Sequence, residues 1–320
     1  MSRALNHKGY VSSGINEAIL SAVKALNYTP NLAAKSLKLS RTNQLMLSIN
    51  SVRDYYTYDV IESFIQVAHK NGFTTLINYT NDDEAQELRL LDRLKQNFVD
   101  GLIMITLNFT EKHLQLINEA NYPVVLSSMS NHRLDFPVGK YDYVGVDTEI
   151  GTYMSTKHLI RLGRRRVGYA GLPIRTQAWD ERLKGYQQAM RDNKCDMRDE
   201  WIITGGYDDA FGYRAGVKLV TSGGLPEAVC ASTDMIAIGL YRAFEEYGVR
   251  IPEDVAVTGM DNTAICDLLR PKLTSVSIKQ ADVGRAATEL IISRLNGLSE
   301  SYKNVIFQPS LVVRQSCGSK

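Results

Sequence analysis

Beyond residue 43, the sequence alternates between short apolar runs and longer stretches with helical periodicity, and this alternation limits the possible folds more than any other feature. The apolar runs include residues 45–49, 101–105, 167–170 and 255–259. Runs that are apolar nearly throughout predict strands buried on both faces, as in parallel sheets. Regular exchange of strand and helix predicts a doubly wound α/β fold.

The number of strand units indicates how the fold is divided. About ten such units follow one another, which is more than one open sheet usually holds. We therefore expect an α/β fold with two similar doubly wound parallel-sheet lobes. In such folds a ligand binds at the carboxyl ends of the strands, here in a pocket between the lobes.

Positive charge is concentrated at the start of the chain. The protein has 320 residues and a net charge of only +2. Residues 1–42 contain a single acid, Glu17, and six basic residues: Arg3, Lys8, Lys24, Lys35, Lys38 and Arg41. A short basic segment on a mildly acidic body is typical of a nucleic-acid-binding head on a sensor domain, although a solvated basic terminus would have the same charge.

Several function classes lack support in the sequence. There is no GxGxxG after the first strand, no phosphate-binding GxxxxGK[ST], no HExxH and no GxSxG, so we expect no enzymatic activity, cofactor or metal. The four cysteines form no CxxC pair, which fits a reducing compartment. With no apolar run of membrane-spanning length and no signal-peptide pattern, we expect a cytoplasmic protein without membrane contact.

Residues 10–42 form a distinct segment. Ser12 or Ser13 can cap a helix whose apolar positions recur at helical spacing. Residues 27–30 (NYTP) end this helix, since Thr29 precedes a proline. A second helical stretch over residues 31–39 is too short to be stable alone in water.

The strings SRALN, YVS and LNYTPNLAAKSL resemble the end of the DNA-binding head of the lactose-repressor/galactose-repressor family. The resemblance implies a partial all-α helix-turn-helix head over residues 1–30 and a hinge helix with its linker over residues 31–42. It places Leu37 where the family inserts an apolar wedge into the minor groove, although Leu37 could also be a core residue of a small helix. The implied DNA-binding residues are Ser2, Arg3, Asn6, Tyr10, Asn31, Ala34, Lys35 and Leu37.

The head departs from the family pattern at its front. In the family, roughly twenty residues precede SRALN and supply the first helix and the base-reading start of the recognition helix, which reads DNA with its N-terminal residues. Here Met1 stands within the recognition helix. We expect either a start codon assigned too far downstream or a truncated head with weak DNA affinity.

The resemblance continues through DGLIMI, PVVLSS, WDERLKGYQQAM, ASTDMIAIGL and VAVTGMDN. It implies an N-terminal lobe of residues 43–171 and 276–300, and a C-terminal lobe of residues 172–275 and 301–320. The implied effector-binding residues are Tyr55, Tyr56, Trp179, Arg182, Tyr207, Thr233 and Asp261. Asp234 could cap a helix or contact the ligand, and for the tyrosines and Trp179 ordinary packing is the alternative.

The family resemblance also implies a mechanism. An arginine fork, an acid and aromatic rings suit a sugar or sugar derivative, although nucleobase-sensing members use similar residues. We expect a repressor in which this effector changes the angle between the lobes and so the affinity for operator DNA. We also expect a homodimer that pairs through residues 59–70, because twofold symmetry matches a palindromic operator.

Overall fold

The computed structural model describes residue 10 and residues 12–27, 41–52, 55–106, 109–128, 141–171 and 177–319. The chain divides into two compact units, residues 1–43 and residues 44–320. The predicted hinge helix over residues 31–39 lies outside the described residues.

The first unit contains helix α1, Ser13–Ala25. Ser12 occupies its N-cap position with an extended backbone, φ −61° and ψ 147°, so the helix begins where the sequence predicts. Asn27 adopts φ 45° just after the helix. This left-handed conformation, which Asn tolerates better than most residues, follows the last helical residue, Ala25, and lies at the start of the predicted stop over residues 27–30.

The second unit contains two lobes, each built on a parallel or nearly parallel sheet. The elements of the first lobe are β1 (Gln44–Ile49), α2 (Tyr56–Lys70), β2 (Thr74–Tyr79), α3 (Glu84–Leu94), β3 (Gly101–Ile105), α4 (Glu111–Asn118), β4 (Val124–Ser128), β5 (Asp142–Val146), and later in the chain α9 (Gln280–Leu295) and β11 (Asn304–Phe307). In the described part of the chain, its six-stranded sheet has the order β11-β5-β4-β3-β1-β2.

The second lobe repeats this plan. Its elements are α5 (Thr148–Arg161), β6 (Val167–Gly171), α6 (Gln177–Asp192), a 3₁₀ turn (Asp199–Trp201), β7 (Ile202–Thr204), α7 (Asp209–Thr221), β8 (Ala228–Ala231), α8 (Asp234–Glu246), β9 (Ala256–Asp261), a 3₁₀ turn (Ala264–Asp267), β10 (Thr274–Ser277) and β12 (Ser310–Val312). The described residues form a sheet of order β12-β10-β9-β8-β6-β7, in which β12 runs antiparallel to β10. The predicted α/β fold with two doubly wound lobes is confirmed.

The central strands are apolar on both faces because helices cover both sides of each sheet. Along β1, Leu45 and Leu47 pack in the core cluster under α2 and α9. Met46, between them, points to the opposite face and packs with Leu91 and Leu94 of α3. The twofold alternation of a strand therefore divides one apolar run between two cores.

The chain crosses between the lobes at points that differ from the predicted boundaries. Helix α5 packs against α6 and the strands of the second sheet, so the first crossing lies at Asp147 rather than near residue 171. The second crossing lies between β10 and α9, and the third between β11 and β12. Strand β11 joins β5 of the first sheet, although we had assigned residues 301–320 to the C-terminal lobe. An apolar run does not reveal which sheet edge it will join.

A buried ion pair holds β11 and α9 against the first sheet. The Arg294 guanidinium donates to Asp142 through Nε at 2.8 Å and Nη2 at 2.7 Å. The same carboxylate accepts the backbone N–H of Lys303 at 2.7 Å, next to β11. Both side chains of the pair are nearly or fully buried, so a bidentate, charge-assisted contact replaces the water that each has lost.

We predict that Asp142→Asn lowers the free energy of unfolding by about 3 kcal/mol, because it leaves the buried Arg294 charge uncompensated. Urea denaturation of parent and variant measures the change. Asp282→Asn is the matched control. Asp282 lies on α9, the helix that carries Arg294, and pairs with Arg285 at the surface. The control should lose less than about 1 kcal/mol. Equal losses in the two variants would contradict a special role for the buried pair.

Candidate functional site

The predicted polar residues of the second lobe meet at the carboxyl edge of its sheet. Arg182 lies on α6, Asp261 ends β9, and Thr233 follows β8. Arg182 Nη2 lies 4.0 Å from Asp261 Oδ1, and Thr233 Oγ1 donates to the Tyr207 carbonyl at 3.2 Å. Four of the seven predicted effector residues are therefore gathered at one edge of one sheet.

Arg182 is fully buried, which is unusual for a guanidinium. Its Nη1 donates to the backbone carbonyl of Ser232, directly after β8. At 4.0 Å its contact with Asp261 is an electrostatic pairing rather than a hydrogen bond. The second lobe thus holds a forked donor and a carboxylate side by side, a combination that can bind hydroxyl groups.

Asp261 sits on an unusual piece of backbone. Its φ is 113° and that of the next residue, Asn262, is 51°, and left-handed conformations are costly for residues other than glycine. Gln280 Nε2 donates to the Asp261 carbonyl, and the Asn262 N–H donates to Ser275 Oγ at 3.0 Å. These bonds hold the strained turn, and with it the Asp261 carboxylate, in one position.

Thr233, and not Asp234, caps helix α8. Thr233 Oγ1 accepts the Ile236 N–H at 3.1 Å, while its single proton goes to the Tyr207 carbonyl. Asp234 is the first helical residue, so the N-cap role that we considered for it belongs to its neighbour. A ligand could reach the Thr233 hydroxyl only as a further donor to its oxygen.

The Asp234 carboxylate organises the turn that follows Asp261. It accepts the Thr263 N–H at 2.8 Å, the Thr263 hydroxyl at 3.0 Å, the Cys266 thiol at 3.1 Å and the Ser275 hydroxyl at 2.6 Å. Burial raises the pKa of Asp234 from 3.8 to about 6, although the four hydrogen bonds oppose this shift. Asp234 therefore stabilises the turn that follows Asp261.

Tyr207 reaches from the second lobe to the first. It lies between β7 and α7, its ring packs against an apolar cluster that contains residues of both lobes, and its phenol lies beside Asp82 of the first lobe. Burial is the largest cause that raises the pKa of its phenol to about 12, followed by the nearby carboxylate of Asp82, in the loop after β2. We predicted a stacking platform, and the structure places this ring where it also links the lobes.

Two predicted effector residues follow β1 in the first lobe. Tyr56 is buried in an apolar core cluster with residues of β1 and α2, and its role in the pocket stays a prediction. Tyr55 is 38% exposed and stands edge-on to Tyr58 with ring centroids 5.5 Å apart. Both follow β1, but the start of α2 directs Tyr56 inward and leaves Tyr55 at the surface.

The remaining predicted residues are not placed. The side chain of Trp179 lies outside the described part of the chain, and so do Ser2, Arg3, Asn6, Asn31, Ala34, Lys35 and Leu37. Tyr10 is described and is 91% exposed.

Sequence reasoning missed a buried polar network at the carboxyl edge of the first sheet. The Glu87 carboxylate contacts His113 Nε2 at 3.0 Å and accepts the Thr106 hydroxyl at 3.1 Å. His113 Nδ1 accepts the Thr110 N–H at 3.2 Å, so His113 presents an Nε2–H to Glu87. The network ties the loop after β3 to α3 and α4. The sequence contains one signal for this network, a threonine directly after each of β2 and β3 (Thr80 and Thr106).

The described residues contain no group of three or more His, Cys, Asp or Glu side chains arranged to hold a metal ion. Within the same residues, every helix is too short or too polar to span a bilayer.

We predict that Asp234 makes the protein less stable as the pH rises. Because its folded-state pKa exceeds the ordinary value, its stabilising protonation is complete below about pH 4 and is lost through about pH 6. The difference in unfolding free energy between parent and Asp234→Asn should change by up to about 3 kcal/mol from pH 4 to pH 7. Urea denaturation across this range measures it.

Asp254→Asn is the control for this pH dependence. Hydrogen bonds from Arg250 lower the pKa of Asp254 to about 2, so Asp254 titrates below the range tested. The difference between parent and Asp254→Asn should stay constant from pH 4 to pH 7. A constant difference for Asp234→Asn as well would contradict the raised pKa.

Comparison with known proteins places this geometry in a family. Residues 156–317, just over half of the chain, match the model of the periplasmic binding protein-like domain. The chain is 27% identical over its full length to 94% of the transcriptional repressor PurR of Haemophilus influenzae strain PittEE. It is also 27% identical, over 99% of its length, to 93% of the ribose operon repressor of Haemophilus influenzae strain Rd.

A solved structure agrees with these relatives. The transcriptional regulator CelR in complex with cellobiose is 26% identical and has a TM-score of 0.78, covering 98% of this chain and 94% of its own. These relatives are transcriptional regulators and not enzymes. The chain therefore carries a periplasmic binding protein-like domain and belongs to the lactose-repressor/galactose-repressor family of transcriptional regulators.

Proposed function

We propose that this protein is a DNA-binding transcriptional repressor whose affinity for its operator is controlled by a sugar or sugar derivative bound between its lobes. The observation that carries this proposal is the buried pairing of Arg182 with Asp261 at the carboxyl edge of the second sheet. Burying a guanidinium and a carboxylate costs free energy, and a pair kept at a ligand-binding edge has a functional reason to be there.

The charges at this edge favour a neutral effector. Among the described residues, the positive charge of Arg182 is matched by Asp261, and Asp82 adds a second carboxylate beside Tyr207. A sugar acid would bring a further negative charge, whereas a neutral sugar offers hydroxyls that both donate and accept. Relatives with cellobiose or ribose in their names support the same class.

Control of DNA binding by a ligand requires the two lobes to move relative to each other. Three chain crossings connect the lobes, and the Tyr207 phenol of the second lobe lies beside Asp82 of the first. An effector that contacts both lobes favours the closed arrangement by its differential affinity for the two states. In this proposal, closure changes the lobe angle and thereby the spacing of two DNA-binding heads.

The proposed homodimer uses the outer face of α2. A shallow groove on this face is lined by Tyr58, Ile61, Glu62, Ile65 and Gln66. Phe64 and Ala68 point into the core, so the helix has one buried face and a second, partly apolar face turned outward. Pairing two such faces about a twofold axis would align two heads with a palindromic operator.

The proposal is tested in two steps. A panel of neutral sugars, sugar acids and nucleobases is screened for compounds that raise the melting temperature of the protein. Gel-shift titration with a genomic fragment library then identifies an operator and measures its affinity with and without the stabilising compound. Stabilisation by a neutral sugar together with a changed operator affinity supports the proposal. A stabilising compound that leaves operator affinity unchanged would reject the regulatory role.

We predict that Arg182→Lys weakens binding of the stabilising sugar at least tenfold. Lysine keeps the charge beside Asp261 but lacks the planar fork that donates two hydrogen bonds at once, and a charge-assisted bond contributes about 1.5–3 kcal/mol. Isothermal titration calorimetry measures the affinity. Arg191→Lys, an exposed position on the same helix, is the control and should bind like the parent. Unchanged affinity in Arg182→Lys would remove Arg182 from the site.

We predict that Leu37→Ala weakens operator binding by about 2 kcal/mol and leaves effector affinity unchanged, because the wedge acts on base stacking in the minor groove. Lys35→Ala should instead weaken binding to all DNA sequences and reduce the salt dependence by about one unit of slope. Gel shifts at several salt concentrations separate the two effects. Equal operator affinity of Leu37→Ala and the parent would remove the wedge assignment.

A further inference from the structure

Among the residues that the structure describes, two hydroxyl groups beside Arg182 are left without a hydrogen bond of acceptable geometry. They belong to Tyr169, in β6, and Ser232, directly after β8, and both residues are fully buried. Neither hydroxyl forms a hydrogen bond of acceptable geometry with any residue that the structure describes. The backbone of the two segments is well bonded, since the Ser232 N–H donates to the Ala170 carbonyl at 2.8 Å.

The Tyr169 ring runs along its strand toward the site. A methyl group at Gly171, the last residue of β6, would overlap the ring and the phenol oxygen of Tyr169. The hydroxyl therefore lies beside the carboxyl end of β6, the edge at which Arg182 and Asp261 meet. Gly171 makes this position possible because it has no side chain on the face that Tyr169 covers.

Ser232 places this pair of hydroxyls next to Arg182. The Ser232 carbonyl accepts a hydrogen bond from Arg182 Nη1. The Ser232 hydroxyl lies near enough to the Tyr169 phenol to lower its pKa, although the two groups do not have the geometry of a hydrogen bond. Burial raises the pKa of Tyr169, and the positive charge of Arg182 opposes this shift. The two hydroxyls thus lie at the same edge of the sheet as the guanidinium that we assign to the effector.

Two other buried tyrosines, Tyr186 and Tyr241, form hydrogen bonds within the protein. Tyr186 donates to the Val167 carbonyl at 2.8 Å, and Tyr241 donates to the Pro271 carbonyl at 3.0 Å. Tyr186 even stacks on Tyr169, with ring centroids 5.3 Å apart. An unpaired buried hydroxyl is destabilising, and phenylalanine would fill the same space as Tyr169 without it. The exception at Tyr169 therefore calls for a partner from outside the chain.

We infer that the hydroxyls of Tyr169 and Ser232 are the floor of the effector site and bind one hydroxyl group of the effector. Each of the two groups can both donate and accept, so together they recognise another hydroxyl. This inference rests on the proposed function for the class of effector. It makes Tyr169 a specificity-determining residue, because a sugar that lacks the matching hydroxyl leaves two buried groups unpaired.

The first test needs no effector. The melting temperature of the unliganded protein is compared with those of Tyr169→Phe and Tyr186→Phe, two variants that each remove one phenol oxygen from adjacent rings. Tyr169→Phe should raise the melting temperature by a few degrees, because it removes an unpaired buried group. Tyr186→Phe should lower it, because it removes a hydrogen bond. A fall for Tyr169→Phe would show that its hydroxyl is satisfied within the protein and would overturn the inference.

The second test uses the sugar that stabilises the parent protein, together with its single deoxy analogues. Tyr169→Phe should bind the parent sugar at least tenfold more weakly than the wild-type protein does. For one deoxy analogue the two proteins should bind equally, since the hydroxyl pair is already broken on the ligand side. Equal affinity of both proteins for the parent sugar would overturn the inference. If no sugar stabilises the wild type, the sugar class fails, and the two proteins are compared in the same way with whichever compound of the panel does stabilise it.

Discussion

Parallel pairing is the constraint on which the rest of this structure depends. In both lobes neighbouring strands run in the same direction, apart from β12, so the strands end at one edge of their sheet. Helices cover both faces, which leaves that edge as the place where polar side chains meet without disturbing the core. Arg182, Asp234 and Asp261 lie at this edge in the second lobe, and Glu87 and His113 lie at it in the first.

The strands and their burial could be predicted because an apolar run between helical stretches has few other solutions. The positions where the chain changes lobe could not, because the sequence around Asp147 does not encode which sheet the next element will cover. The edge strand β11 was assigned to the wrong lobe for the same reason. At the site, Arg182 and Asp261 were predicted through family resemblance. Tyr169 was missed because an aromatic residue inside an apolar run is read as core.

Several departures from good packing meet at the carboxyl edge of the second sheet. Asp261 adopts a left-handed backbone conformation, Asp234 is a buried carboxylate with a raised pKa, and Tyr169 and Ser232 leave their hydroxyls unpaired among the described residues. Unpaired hydroxyls also occur singly elsewhere, at Ser127 and Thr156, so the signal at this edge is the combination of a strained turn, a buried carboxylate and two adjacent hydroxyls. Such a combination fits a binding requirement at the edge.

The unsatisfied groups at this edge also suggest how an effector could act on a distant DNA-binding head. A ligand that satisfies groups of the second lobe and contacts the first lobe near Asp82 and Tyr207 gains more free energy from the closed arrangement than from the open one. Only this difference can shift the balance between the two states. Groups left unsatisfied in the free protein increase the difference, because their partners are supplied only when the ligand is enclosed. The local instability at the edge of the sheet would then be the source of the regulatory signal.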